Sequence, residues 1–184
     1  MRIRPEEPGD FAAIAAVVRE AFESDVEPQL VEAIRADACY RPELALVAAD
    51  DAGNVVGHVM ISHAELRDDD GGAARAGTGG GNTHRIAMLS PLAVAPDRQR
   101  QGIGSALVRE VTARADALGD RVVVLEGSPR YYPRFGFVDC RTLGITIHLP
   151  DWAPPEAGQA LPLSAYDPSL RGTLVHPPPF DGLE

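Results

Sequence analysis

The sequence predicts one domain of the α/β or α+β class, built on a mixed sheet. Its 184 residues correspond to about one domain of roughly 150 residues, and 45% of them are hydrophobic, which is enough for a buried core. Apolar positions follow helix spacing in some segments and strand spacing in others. Their order is strand, two helices, three strands, helix, strand, helix, strand.

Composition and charge argue against nucleic-acid and membrane partners. There are 27 Asp and Glu against 17 Lys and Arg, which gives a formal charge of −10 and a pI near 4.9. We therefore expect no nucleic-acid partner, because phosphate binding needs clustered positive charge. No apolar run approaches the roughly 18 residues of a membrane span, and the apolar stretch 11–18 follows acidic residues, unlike a secretory signal. With only Cys39 and Cys140 available, a disulfide framework is not expected, so we predict a cytoplasmic protein without a membrane partner.

The first half of the chain combines helix and strand spacing. Apolar residues recur every three or four positions from Phe11 to Phe22, after a potential capping residue Asp10. Turn residues at 51–54 separate two strand-like runs and predict a hairpin. The predicted elements are a strand at 2–4, helices at 11–22 and around 30–34, and strands at 44–49 and 55–66.

The second half holds a glycine-rich insert and a proline-rich end. Six glycines and three aspartates between residues 67 and 83 predict a flexible loop, and we expect residues 68–82 to be mobile. Pro91 interrupts a long apolar strand, which predicts a bulge or a sheet edge. The other predicted elements are a strand at 86–94, a helix at 103–118, a strand at 122–125, a short helix at 128–136, and strands at 144–149, 160–165 and 173–176.

The segment from Leu92 to Leu107 carries the clearest functional signal. A strand runs into a turn with Gly102 and Gly104, and these glycines open a helix. A helix start presents free N–H groups and suits a phosphate. A Walker loop is excluded because no Gly-Lys-Ser/Thr is present, and a dinucleotide fingerprint is weak because Leu107 stands where a third small residue is needed.

The remaining pattern, Gln99-Arg100-Gln101-Gly102-Ile103-Gly104, resembles the coenzyme A pyrophosphate loop of the GCN5-related N-acetyltransferases, the GNAT family. A second motif, Tyr131-Tyr132-Pro133-Arg134-Phe135-Gly136-Phe137, resembles the Tyr-x-x-x-Gly-Phe element that follows the fifth strand in that family. The resemblance covers roughly residues 1 to 150 and is greatest to bacterial predicted N-acetyltransferases. It implies a mixed, mostly antiparallel central sheet flanked by helices and an acetyltransferase domain at 1–150. Residues 151–184 extend beyond the usual domain of the family, and their seven prolines predict a Pro-rich C-terminal extension of short strands and turns that packs on the same domain.

The resemblance also implies which residues hold acetyl-CoA. The strand through Leu92, Ala93 and Val94 is expected to separate from its neighbour, so that its backbone binds the pantetheine arm. The diphosphate is expected at the turn and the helix start. The residues implied there are Gln99, Arg100, Gln101, Gly102, Ile103, Gly104 and Ser105. Arg98, Arg100 and Arg134 are candidates for the adenosine 3′-phosphate, with solvated surface arginines as the alternative.

Two catalytic roles follow from the same resemblance. Tyr132 is expected to act as the general acid that protonates the departing thiolate, whereas a purely packing role is the alternative. Tyr131 is expected on a different helix face. Glu126 is the expected base for the acceptor amine, while Glu27 and Asp25 are alternatives that could line the acceptor pocket, and a solvated surface carboxylate is an ordinary role for each of the three.

The predicted function is transfer of the acetyl group of acetyl-CoA to a primary amine. The alternative is a non-catalytic acyl-CoA-binding sensor or structural protein of the same fold. The expected acceptor is a small-molecule or peptide amine, and a homodimer is compatible with the sequence. We expect no metal, because the histidines lack metal-binding spacing: His58, His63, His84, His148 and His176.

Overall fold

The computed structural model describes residues 1–68 and 82–181. Most of the glycine-rich insert, predicted to be mobile over 68–82, lies outside these residues. The helices are α1 Phe11–Phe22, α2 Val26–Ala36 and α3 Ile103–Ala117. The strands are β1 Arg2–Pro5, β2 Ala45–Ala49, β3 Val55–Arg67, β4 Thr83–Val94, β5 Val122–Glu126, β6 Val138–Asp139, β7 Ile145–Thr146, β8 Gly158–Pro162 and β9 Gly172–Val175.

These strands form a single sheet in the order β1-β2-β3-β4-β5-β8-β6, while β9 pairs with β3 and β7 pairs with β9. Only the β4–β5 and β7–β9 pairs among the described strands are parallel. The predicted mixed, mostly antiparallel sheet is confirmed.

Helices cover both faces of the sheet because the side chains of the central strands alternate between them. On one face Leu46 and Ala48 of β2 pack in a cluster with Leu107 and Val111 of α3. On the other face Val47 packs in a cluster with residues of α1 and α2. A third cluster joins β3, β4 and β5 to the C-terminal strands and contains Leu66, Ile145 and Leu174, among others.

The chain path of β4 changes at Ser90 and Pro91. Leu89 pairs with Ile61 and Leu92 pairs with Val59, so two residues of β4 stand opposite Met60 alone. This is the β-bulge expected at Pro91. On its other side β4 pairs with β5 only at Ala87–Val123 and Met88–Val124. The two strands therefore separate beyond Met88, and the bulge lies at the mouth of the opening.

The C-terminal segment belongs to the sheet. β8 lies between β5 and β6 and pairs with β5 along five residues, from Val122–Pro162 to Glu126–Gly158. The strand predicted at 160–165 thus begins two residues earlier, and the short helix predicted at 128–136 is a 3₁₀ helix confined to Tyr132–Phe135. Within the described residues, no helix is long and apolar enough to cross a membrane.

A buried polar network ties β1, α2 and β3 together around Glu6. Arg35 donates to both carboxylate oxygens of Glu6 at 2.8 and 2.9 Å, the Tyr40 hydroxyl donates at 2.9 Å, and His58 Nε2 lies 3.0 Å away. Burial alone would raise the pKa of Glu6, but hydrogen bonds from Arg35 and His58 outweigh burial and lower the pKa to about 2. Burial lowers the pKa of His58, so this ring is neutral.

Candidate active site

The turn between β4 and α3 presents unpaired N–H groups. Gly102 caps the helix with a φ of 87°, a left-handed conformation that favours glycine, and Arg100 also has a positive φ of 59°. Among the described residues, no hydrogen-bond acceptor pairs with the backbone N–H groups from Arg100 to Ser105. The side chain of Gln99 donates to Val94 O at 3.2 Å and holds the turn against the end of β4. Such a turn fits a diphosphate.

Gly104 lies under the hydroxyl of Tyr131. A Cβ built on Gly104 would come within 2.9 Å of Tyr131 Oη and 3.5 Å of Val94 Cγ2. The rings of Tyr131 and Tyr132 are perpendicular, with centroids 5.0 Å apart, so the two side chains do point differently. No pattern in the sequence predicted that Tyr131 reaches the first turn of α3.

The three arginine candidates differ in their partners. Arg134 donates to Tyr131 O at 2.8 Å and stacks over the Tyr131 ring at 4.8 Å. Arg98 lies 3.4 Å from Asp97 and 3.9 Å from Asp50. Arg100 makes no ion pair with the part of the chain described here.

Tyr132 is buried against the loop that follows β5. The residue is 9% exposed, and its ring lies so close to the backbone that a Cβ on Gly127 would meet it at 2.5 Å. Phe137 packs against it with centroids 5.6 Å apart. Its hydroxyl has no hydrogen-bond partner among residues 1–68 and 82–181. Burial, with a smaller contribution from Tyr131, raises the pKa of Tyr132, so the phenol keeps its proton at neutral pH.

Glu126 ends β5 and pairs with a residue that the sequence analysis did not connect to it. Its Oε1 lies 2.9 Å from Nε2 of His176, directly after β9. The following loop is held by Gln159 of β8, which is 2% exposed and donates to Gly127 O at 3.2 Å and Ser128 O at 3.4 Å. Both partners lie on the C-terminal segment, where no motif pointed to them.

A cavity of about 1200 Å³ opens beside this point. The β4 bulge and the end of β5 line it, together with α1, α2 and C-terminal loops. Glu27 lines it as well, and its Oε2 is buried without a hydrogen-bond partner in the described chain. Glu27 and Glu126 are therefore brought together, whereas Asp25 is exposed and accepts from Arg19 at 2.6 Å. In the described residues no cluster of His, Cys, Asp or Glu could hold a metal ion.

Residues 11–137 match the model of the acetyltransferase (GNAT) family. The chain belongs to this family, and the resemblance seen in its two motifs is confirmed. The uncharacterized N-acetyltransferase YhbS of Escherichia coli (strain K12) is 36% identical over 137 residues, which are 74% of this chain and 73% of YhbS.

Two solved structures are similar over nearly the whole chain. The E. coli GNAT family N-acetyltransferase YhbS in complex with CoA aligns with a TM-score of 0.80 at 30% identity, covering 100% of this chain and 93% of that chain. A GNAT family acetyltransferase from Brucella melitensis in complex with acetyl-CoA aligns with a TM-score of 0.71 at 31% identity, covering 98% and 97%.

Proposed function

We propose that the protein transfers the acetyl group of acetyl-CoA to a primary amine by direct attack of the amine on the thioester. The observation that carries the proposal is the opening between β4 and β5, with Tyr132 and Glu126 beside it and free N–H groups at the start of α3. The structures of the relatives with CoA and acetyl-CoA support the choice of donor.

The donor would bind along β4 and the turn that follows it. The backbone of Leu92, Ala93 and Val94 lies beyond the last β4–β5 pair and offers its groups to the pantetheine arm. The N–H groups from Arg100 to Ser105 would hold the diphosphate, helped by the helix dipole. The space over Gly102 supports this, because a Cβ there would meet nothing within 4 Å.

Tyr132 would donate a proton to the sulfur as the C–S bond breaks. Its raised pKa keeps the hydroxyl protonated, but it also makes the phenol a weaker acid than in water. Transfer is therefore favourable only to a sulfur whose own negative charge is poorly solvated, as it would be in the same buried opening. Glu126, at the end of β5, would lie on the acceptor side, where its negative charge attracts the amine and helps to deprotonate it.

An amine panel tests the proposal. Acetyl-CoA is mixed with the protein and with 2-phenylethylamine, cadaverine or a lysine-containing peptide, and free thiol is measured against a control without amine. We expect amine-dependent thiol release. CoA binding by calorimetry without thiol release for any amine would favour the alternative, a non-catalytic acyl-CoA sensor.

We also propose a cytoplasmic location. Cys39 and Cys140 are both free and buried, as expected of a protein kept in a reducing compartment.

A further inference from the structure

His176 lines the same cavity as Glu126. Its Nε2 and Glu126 Oε1 are 2.9 Å apart, and the two side chains are 27% and 29% exposed. Both residues line the cavity together with Met88 and Ser90 of β4, which flank the point where β4 leaves β5.

The hydrogen bond fixes which ring nitrogen of His176 is basic. A carboxylate only accepts hydrogen bonds, so the neutral imidazole must carry its hydrogen on Nε2. Nδ1 then holds the lone pair. No described residue hydrogen-bonds to Nδ1, and this nitrogen is not among the buried unpartnered atoms. The geometry is that of a histidine oriented by a carboxylate, with its free nitrogen open to a ligand.

We propose that Nδ1 of His176 accepts the proton of the acceptor ammonium, while Glu126 orients the ring and stabilises its positive charge. This inference rests on the proposed acetyl transfer and names the group that prepares the nucleophile. The ammonium loses one proton to Nδ1, and the neutral nitrogen attacks the thioester carbon and forms the C–N bond. The C–S bond breaks and the sulfur takes a proton from Tyr132, which regains one from the nitrogen as the amide forms. The proton on His176 leaves to solvent.

The charged groups that line the cavity around His176 favour the binding of a cationic ligand. The other titratable groups that line the cavity are four carboxylates and one histidine: Glu27, Glu126, Asp151, Asp181 and His148. An amine is mostly protonated at neutral pH and cannot attack until it loses a proton. A cavity that attracts the ammonium form therefore needs a proton acceptor within it. Phe22, Trp152 and Phe180 give the cavity aromatic walls, which suit an amine on an apolar body.

His176→Gln tests the role, because glutamine keeps an N–H for Glu126 but accepts no proton at neutral pH. With the panel amine of highest wild-type kcat/KM, we expect single-turnover transfer at pH 7 to fall on the order of 10²-fold. The loss should shrink as the pH rises and free amine accumulates in solution. CoA affinity should stay at the wild-type value. Added imidazole should restore part of the rate to His176→Ala, which a structural role would not allow.

His84→Gln is the matched control, because His84 also has its Nε2 3.0 Å from a carboxylate oxygen, that of Asp68, but does not line the cavity. Its rate should stay near that of the wild type. If His176→Gln keeps the wild-type rate and pH profile, the role of His176 is wrong, while the proposed acetyl transfer is unaffected. Equal losses in both variants, or no rescue by imidazole, would also overturn it. Absence of amine-dependent thiol release from the wild type would instead overturn the proposed function itself.

Discussion

Tyr131 and Tyr132 are adjacent in the chain but contact different parts of the proposed donor site. The Tyr132 ring packs on Gly127, directly after β5, while the Tyr131 hydroxyl lies over Gly104 at the start of α3. We expect Tyr132 to affect the chemical step and Tyr131 to affect the affinity for CoA.

Tyr132→Phe keeps the ring and its packing but removes the proton. Supplying that proton is typically worth on the order of 10²–10⁴ in rate, and water will replace part of it. We predict slower acetyl transfer under single-turnover conditions, with the fold and CoA affinity unchanged. Tyr166→Phe, which alters a partly buried tyrosine that packs against the third core cluster, is the control and should not change the rate. A wild-type transfer rate in Tyr132→Phe would mean that Tyr132 only packs.

Gly102→Ala tests the diphosphate turn against a matched glycine at the other end of α3. Gly102 and Gly119 have φ values of 87° and 84°, and a Cβ on either would meet nothing within 4 Å. Each alanine should therefore cost about 1 kcal/mol of stability through backbone strain. Only Gly102→Ala should weaken CoA binding in calorimetry, because its methyl group enters the space assigned to the diphosphate. Equal CoA affinities in the two variants would contradict that assignment.

Contacts between secondary-structure elements explain which of the sequence-based predictions were right and which were wrong. Apolar spacing located α1, α2 and α3, because each helix buries one face against the sheet. The capping role expected of Asp10 was wrong. Its carboxylate accepts from Arg4 and from the Glu7 backbone and makes no capping bond to α1. A local pattern cannot show that a partner from β1 competes for the same oxygens.

The Glu6 network should make stability depend on pH. Glu6 has a pKa of 4.5 when unfolded and about 2 when folded, so its contribution is present above pH 4.5 and is lost as the pH falls toward 2. His58 acts in the same direction, because burial keeps it neutral while the unfolded ring takes up a proton below about pH 6.5. We predict that the free energy of unfolding falls from about pH 6.5 to 2.

Glu6→Gln should lower the free energy of unfolding at pH 7 by about 3 kcal/mol, because it removes the buried anion of Arg35 and leaves that buried guanidinium only the exposed Glu32. It should also flatten the loss of stability below pH 4.5. Glu110→Gln, in the half-exposed i,i+4 pair with Arg114, is the control and should cost less than about 0.5 kcal/mol. Denaturant titrations across the pH range measure both effects, and equal costs in the two variants would show that the network contributes little.

At the scale of the whole molecule, the C-terminal segment completes the sheet beside the proposed site, and neither motif predicted this. The family model ends at residue 137, yet β8 covers the edge of β5, and Gln159 and His176 support the end of that strand. These partners are distant in sequence and carry no motif of their own, so only the folded sheet brings them to Glu126. The division at residue 150 stays a prediction.

The donor side was more predictable than the acceptor side for a physical reason. A diphosphate is bound by backbone groups, and the glycines that allow this leave a pattern in the sequence. The acceptor cavity is lined by side chains from α1, α2, β4, β5 and the C-terminal loops, which share no local spacing. Glu126 could be proposed from its place at a strand end, but its pairing with His176 could not.

Quenched mixing with intact-mass detection tests direct acetyl transfer most sharply. In one set of samples the protein is mixed with acetyl-CoA alone and quenched at short times. In a second set an amine from the panel is added before the quench. We predict that the protein mass stays unchanged without amine, and that the acetyl group then appears on the amine in step with the release of CoA. An acetylated protein that forms before the amine is added and disappears afterwards would contradict direct attack. CoA released without acetylated amine would contradict acetyl transfer to an amine.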